Sequence, residues 1–263
     1  MRYLLRDQNK FFFKIKKSPH VFLFLDYDGT LTSIVSAPEK AKLPLAVKNS
    51  IKRLKASPGF TVAVISGRSL RDIKSMVGIK GLIYAGNHGL EIEGLGRRIS
   101  MPAGSSAGPG IKKIKTSLDK TLSCIKGVRV EDKGRTLSVH FRLVRPGKRR
   151  LVKNIFRRIV RPYVLSKKIK LSSGKMVLEV RPAVEWDKGK AVVALLAQSK
   201  KALPVYIGDD RTDIDAFRAL KGRGISIFVG RPKRAVGADY YLKSPRDVAA
   251  LLHKFTLLSL TKV

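Results

Sequence analysis

Asp26 and Asp28 stand at the end of VFLFLDYDGTLT, residues 21–32, where five apolar residues run straight into two carboxylates. A buried strand that ends in acid holds negative charge at the rim of a core. An uncompensated charge is costly there, so a cation is required nearby. Side chains two apart on a strand share a face, and Gly29 marks the turn that ends this one. A second apolar run, FTVAVIS, ends in Ser66-Gly67-Arg68 and leads into a helix, setting a hydroxyl and backbone N–H groups at a helix start suited to an anion. Lys188 in DKGKAVVALLAQ falls in the first turn of a helix that Asp187 can cap, with Lys190 its competitor for the ammonium role. In VYIGDDRTDIDAF another apolar run ends in Asp209 and Asp210, with Asp213 one helical turn on. Together these supply carboxylates for a hard divalent cation, a nucleophilic carboxylate, and a hydroxyl plus an ammonium to hold an anion. Mg²⁺ is the expected ion, because it takes oxygen ligands from a few carboxylates and completes its shell with water and phosphate.

The elements that must position these groups are legible as alternation. Apolar runs VFLFL, FTVAVIS and GLIYAG in the first third, and PVYIGDD, ISIFVG and ADYYL in the last, are separated by helix-length segments. That pattern belongs to a parallel sheet covered on both faces. The middle differs. VRVEDKGRTLSVHFR, turning near Gly134, and KIKLSSGKMVLEV, turning near Gly174, are hairpins beside two helical stretches, which makes an antiparallel α+β unit. The expected fold is therefore α/β, a Rossmann-like parallel-sheet core formed by residues 1–107 and 183–263, with a smaller α+β unit, 108–182, inserted. Residues 102–110, rich in Gly, Ser and Pro, and the stretch RPAVEWD are the expected hinges.

Read in order, FLDYDGTL, VISGRS, YAGNHGLEI, LEVRP with WDKGKA, and YIGDDRTD resemble the haloacid-dehalogenase-like (HAD) phosphatases and, within them, the trehalose-6-phosphate phosphatase family. The likeness spans residues 21–242. It departs at Ile214, where the family often carries an acidic residue. The resemblance implies a cap inserted into the core and Mg²⁺-dependent hydrolysis of trehalose 6-phosphate in trehalose biosynthesis. Asp26 is implied as the nucleophile that forms an aspartyl phosphate and Asp28 as the acid/base, with Ser66 and Lys188 on the phosphoryl oxygens. Asp26, the backbone carbonyl of Asp28, and Asp209 would hold the metal, and Asp213 would order a water ligand or Lys188. Gly67 and Arg68 join Ser66 on the substrate's phosphate. Glu131, Lys133, Glu179 and His88 would meet the sugar. His140 and Arg142 alternate along a strand and read as packing or surface.

The same chemistry admits another sugar phosphate, sucrose phosphate or mannosylglycerate phosphate. A basic, non-enzymatic polyanion-binding protein is the alternative of a different class. The charge invites it: 55 Lys and Arg against 19 Asp and Glu give +36, a field that attracts nucleic acid, anionic membrane surfaces and phosphorylated metabolites alike. The basic clusters carry no stacking motif or zinc finger, so a generally basic, solvated surface is expected, without specific nucleic-acid binding. Cys124 is the single cysteine, which excludes an internal disulfide and a cysteine-rich zinc site and suits a reducing cytoplasm; it reads as a buried or half-buried thiol. No apolar run is long enough for a membrane span, and the Phe-rich start lacks a cleavage site. A cytoplasmic monomer is the expectation.

Overall fold

The computed structural model describes residues 1–6, 8–94, 96–100, 107–174, 176–199, 201–231 and 236–259. In chain order the elements are β1 (Arg2–Tyr3), α1 (Gln8–Lys17), β2 (Val21–Leu25), α2 (Leu45–Ala56), β3 (Phe60–Ile65), α3 (Leu70–Val77), β4 (Ile83–Gly86), β5 (Glu91–Gly94) and β6 (Arg97–Ser100). There follow α4 (Ala107–Leu122), β7 (Arg129–Asp132), β8 (Leu137–His140), α5 (Arg149–Leu165), β9 (Ile169–Gly174) and β10 (Val177–Pro182). The chain closes with α6 (Lys188–Leu196), β11 (Leu203–Gly208), α7 (Asp213–Leu220), β12 (Ile225–Val229), β13 (Tyr240–Leu242) and α8 (Pro245–Ser259). These elements fall into two compact units, Met1–Ile99 with Trp186–Val263, and Ser100–Glu185.

The first unit is built on a sheet of order β1-β13-β12-β11-β2-β3-β4-β5-β6. Pairing is parallel from β1 across to β4, and β5 joins β4 antiparallel. Val21, Leu23 and Leu25 of β2 pack with Phe11 of α1, Ile51 of α2 and Phe255 of α8 on one face. Phe22 and Phe24 turn to the other, against Val192 of α6 and Phe217 of α7. A strand covered on both faces has no polar side to show, which is why VFLFL is continuous. The Phe-rich start is part of this core: the Phe11 ring lies 5.7 Å from that of Tyr240 and 5.8 Å from that of Phe255. Reading apolar runs finds β2, β3, β4, β11, β12 and β13 and misses β1, β5 and β6, because β1 has only two residues and the strands carrying Glu91, Glu93 and Arg97 contain no such run.

The second unit is an antiparallel sheet, β7-β8-β10-β9. Leu137, Val139 and Val180 of the sheet form its core with Ile114 and Leu118 of α4 and Val152, Phe156 and Val160 of α5. Gly134, at φ +77°, makes the turn between β7 and β8, and its N–H donates to the Asp132 carboxylate at 2.8 Å. Of the expected hinge, residues 102–106 lie outside the described residues; 107–110 are helical, with Pro109 in the first turn of α4, where its missing N–H costs nothing. Cys124, expected to be at least half-buried, is exposed, because it follows α4 in a turn. The expected boundaries were 107/108 and 182/183, and the units divide at 99/100 and 185/186. Among the described residues, no helix is long and apolar enough to cross a membrane.

Candidate active site

β11, β2 and β3 lie side by side, and their carboxyl ends deliver Asp209, Asp26 and Ser66 to one edge of the sheet. Open parallel sheets hold ligands at that edge. β2 stops at Leu25, so strand alternation does not extend to Asp28, and the two carboxylates take different partners instead of sharing a face. Asp26, 5 % exposed, accepts a hydrogen bond from Lys188 Nζ at 2.7 Å. Asp28, its side chain 41 % exposed, is gripped by Arg68, which donates from Nε to Oδ2 at 2.7 Å and from Nη2 to Oδ1 at 2.6 Å. Arg68 Nη2 also donates to the Pro38 carbonyl at 2.9 Å, and the guanidinium stands 5.5 Å from the centre of the Tyr27 ring. The Tyr27 hydroxyl in turn donates to the Ala41 carbonyl at 2.7 Å. Arg68, expected on the phosphate, thus ties Asp28 to the segment that follows it.

Local sequence explains these placements. A Cβ on Gly29, at φ +92°, would sit 2.2 Å from Asp209 Oδ2, so only glycine lets the turn after β2 pass the Asp209 carboxylate. Asp187 caps α6 by accepting from Lys190 N at 2.8 Å. The cap fixes the helix phase: Lys188 points inward at 2 % exposure and Lys190 is exposed, which decides between the two lysines. Lys188 Nζ also donates to Asp213 Oδ1 at 2.7 Å. Asp213 is fully buried and further accepts from the Tyr206 hydroxyl at 2.7 Å and from Asp210 N at 2.9 Å. Asp210 itself accepts from Arg211 N, a structural role. Tyr206 escapes a motif search; its signal is a phenol in an otherwise apolar buried strand, where the hydroxyl needs an acceptor.

Ser66 follows β3 and accepts from Arg68 N at 3.1 Å, while the cap of α3 is Ser69. His88 is buried and in the left-handed region at φ +59°; its ring packs so closely over Gly67 that a Cβ there would lie 2.6 Å away. Its backbone N–H donates to the Ser66 carbonyl at 2.9 Å. Trp186, a hinge candidate, donates from Nε1 to the Gly89 carbonyl at 2.7 Å.

One oxygen each from Asp26, Asp209 and Asp213 lies within 4.8 Å of the others. Burial drives the Asp26 carboxyl well above the usual range; Lys188 opposes this, and Asp213 and Asp209 reinforce it. Burial acts to lower the Lys188 ammonium, but Asp213 and Asp26 outweigh it and hold it well above its usual range. One ammonium therefore faces three buried carboxylates. The donor set, all hard oxygen, is short of positive charge and fits a hard divalent cation.

In the second unit Glu131, Ser138, Glu179 and Ser172 are cross-strand neighbours in β7, β8, β10 and β9, on the sheet face opposite the Leu137–Val139–Val180 core. Glu179 accepts from Lys133 Nζ at 3.2 Å, Ser138 Oγ at 3.1 Å and Ser172 Oγ at 3.0 Å. Glu131 and His140 Nε2 are 2.7 Å apart. Burial pushes the Glu131 carboxyl up, but the His140 hydrogen bond and Lys133 overcome it and leave it lowered. His140, read as packing or surface, thus lies in this polar row with Ser138 and Ser172, and the alternation of LSVH contained the signal.

Residues 24–246 match the trehalose-phosphatase family model. The chain belongs to the trehalose-phosphatase family. It is 36 % identical over 258 residues to a trehalose 6-phosphate phosphatase of Zea mays, a match covering 90 % of this chain and 70 % of that one. The C-terminal domain of the C. albicans trehalose-6-phosphate phosphatase superposes with a TM-score of 0.84 at 23 % identity, over 99 % of both chains. A haloacid dehalogenase-like hydrolase from Bacteroides thetaiotaomicron superposes with a TM-score of 0.62 at 16 % identity, over 90 % of this chain and 99 % of that one, so the fold extends to the HAD group. Members of the trehalose-phosphatase family are phosphoric monoester hydrolases, and this chain is one of them.

Proposed function

We propose that the protein hydrolyses trehalose 6-phosphate to trehalose and phosphate, in the cytoplasm, through an aspartyl phosphate on Asp26. What carries the reading is the buried Asp26–Lys188–Asp213 cluster beside Asp209, at the carboxyl ends of adjacent parallel strands in a chain of this family. Asp26, Asp209 and the backbone carbonyl of Asp28 would hold Mg²⁺, with Asp213 behind them. When bound, the ion supplies positive charge that orients the phosphoryl group and lets the clustered carboxylates ionise together. An Asp26 oxygen attacks phosphorus as the P–O bond to the sugar breaks. Asp28 gives its proton to the departing sugar oxygen and then takes one from the water that cleaves the acyl phosphate. Lys188 and the Ser66 hydroxyl, with the N–H groups of Gly67 and Arg68, hold the phosphoryl oxygens as charge develops on them.

The first unit is the catalytic core and the second the cap, on this reading. Selection of the sugar falls to Glu131, Lys133 and Glu179 on the polar face of the second unit's sheet, with His88 beside the phosphate loop; such groups discriminate strongly by pairing with hydroxyls. The test is phosphate release from a panel of phosphorylated sugars, including sucrose phosphate and mannosylglycerate phosphate, with Mg²⁺ and with chelator. Preference for trehalose 6-phosphate, loss on chelation, recovery with Mg²⁺ and an inactive but folded Asp26→Asn are expected. Full turnover by Asp26→Asn would remove the mechanism, and preference for another sugar would replace the substrate.

A further inference from the structure

The sequence contains no Asp or Glu between Asp132 and Glu179, and α5, RRLVKNIFRRIVRPYVL, lies in the middle of that stretch. Its apolar side, Val152, Phe156 and Val160, is spent on the core of the second unit. Residues seven apart on a helix lie about two turns along one line. The outward side of α5 therefore shows a line Leu151–Arg158–Leu165 next to Arg150 and Arg157, with Arg161 between. Leu151 and Leu165 are 48 % and 70 % exposed, and Leu143, just before the helix, is 65 % exposed. The ion pairs described in this unit, Lys115–Asp119, Lys133–Glu179 and His140–Glu131, do not involve α5. Like charges one turn apart, such as Lys153 with Arg157 and Arg157 with Arg161, cost a helix stability. Within the described fold Lys153 stands 5.5 Å from the centre of the Phe141 ring, and an external anion would offset the charge of Arg150, Arg157 and Arg161.

We propose that this face of α5 docks peripherally on an anionic lipid surface. Arginine guanidiniums pair with lipid phosphates in a two-pronged geometry, and exposed leucines interleaved with them enter the acyl boundary. The cytoplasmic leaflet carries the matching negative charge. Duplex nucleic acid would satisfy the arginines but leave Leu143, Leu151 and Leu165 beside phosphates. Single strands would need stacking platforms, and none of Phe141, Phe156 and Tyr163 is exposed. The helix covers one face of the β7–β10 sheet and the Glu131–Glu179 row lies on the other, so docking leaves that row open.

Flotation of the full chain with phosphatidylcholine vesicles, and with vesicles of phosphatidylcholine mixed with phosphatidylglycerol, tests this. Binding to the mixed vesicles alone, weakened by salt, is expected. The triple variant Arg150→Gln, Arg157→Gln, Arg161→Gln is expected to bind about 100-fold more weakly. The charge-neutral change Leu151→Ser with Leu165→Ser is expected to cost roughly tenfold on vesicles and nothing on duplex DNA. Phosphate release by each variant, read at the parent rate, confirms that it is folded. Tighter retention on duplex DNA than on the mixed vesicles, vesicle binding indifferent to the two leucines, or no binding to either surface would each overturn the proposal.

Discussion

Asp28 is the group whose setting says most about turnover. On the proposed mechanism it carries a proton to the leaving sugar, and Arg68 grips it from Nε and Nη2. Arg68 is thus a positioning residue: it fixes where the Asp28 carboxylate stands and secures the 38–41 segment behind it through Pro38, while Tyr27 secures the same segment through Ala41. Asp28→Asn is expected to slow trehalose 6-phosphate hydrolysis by about 10²–10⁴-fold, and to slow an aryl phosphate, whose leaving group needs no proton, far less. Arg68→Ala should show the same leaving-group dependence, and the double variant should be little worse than Asp28→Asn alone, since the two act through one group. An equal loss on both substrates would instead place Arg68 on the phosphate. The residue scale is also where motif reading reached furthest. Asp26, Lys188, Asp209 and Asp213 were legible because each ends an apolar run or opens a helix. Tyr206 was not, since a single phenol within a strand breaks no pattern.

At the scale of elements, α1 and β10 carry separate consequences. α1 lays Phe11 among Phe60, Tyr240 and Phe255, so Phe11→Ala should cost about 3–5 kcal/mol in denaturant unfolding. An unchanged midpoint would mean that α1 contributes nothing to the core. β10 presents Glu179 to Lys133, Ser138 and Ser172, which together hold the carboxylate in one orientation. Glu179→Gln keeps the shape and removes the charge; KM for trehalose 6-phosphate should rise about 10- to 100-fold while turnover of an aryl phosphate is unaffected. A loss shared by both substrates would count against a sugar contact. The hairpins of this unit were legible from the turn residues Gly134 and Gly174, whereas β5 and β6 were not, because polar strands lack the apolar run by which the buried strands are recognised.

At the scale of the molecule, burial of phenols sets an alkaline limit. Tyr27 is pushed from its ordinary 10.0 to about 12, mainly by burial, with Arg68 opposing and Asp28 adding to the rise. Burial likewise raises Tyr84 and Tyr206. In each case the folded phenol resists ionisation more than the unfolded one. The stability this confers is complete below pH about 10 and is lost as pH climbs towards about 12, because the unfolded chain then releases protons first. Unfolding midpoints followed across that window should fall, and Tyr27→Phe should flatten the descent. A fall of equal steepness in Tyr27→Phe would assign the limit to other groups.

Order along the chain was enough to pick out Asp26, Lys188, Asp209 and Asp213, which the fold brings together, because a carboxylate after a buried strand or a lysine after a helix cap is a local pattern with a local physical cause. The two-unit plan and the family resemblance followed from the same kind of reading. Partnership was not local. That Lys188 bridges Asp26 and Asp213, that Arg68 takes Asp28, that His140 joins Glu131 and that the first helix is core depend on distances between segments far apart in sequence. Those distances are set by sheet order and by side-chain packing, neither of which a run of residues contains.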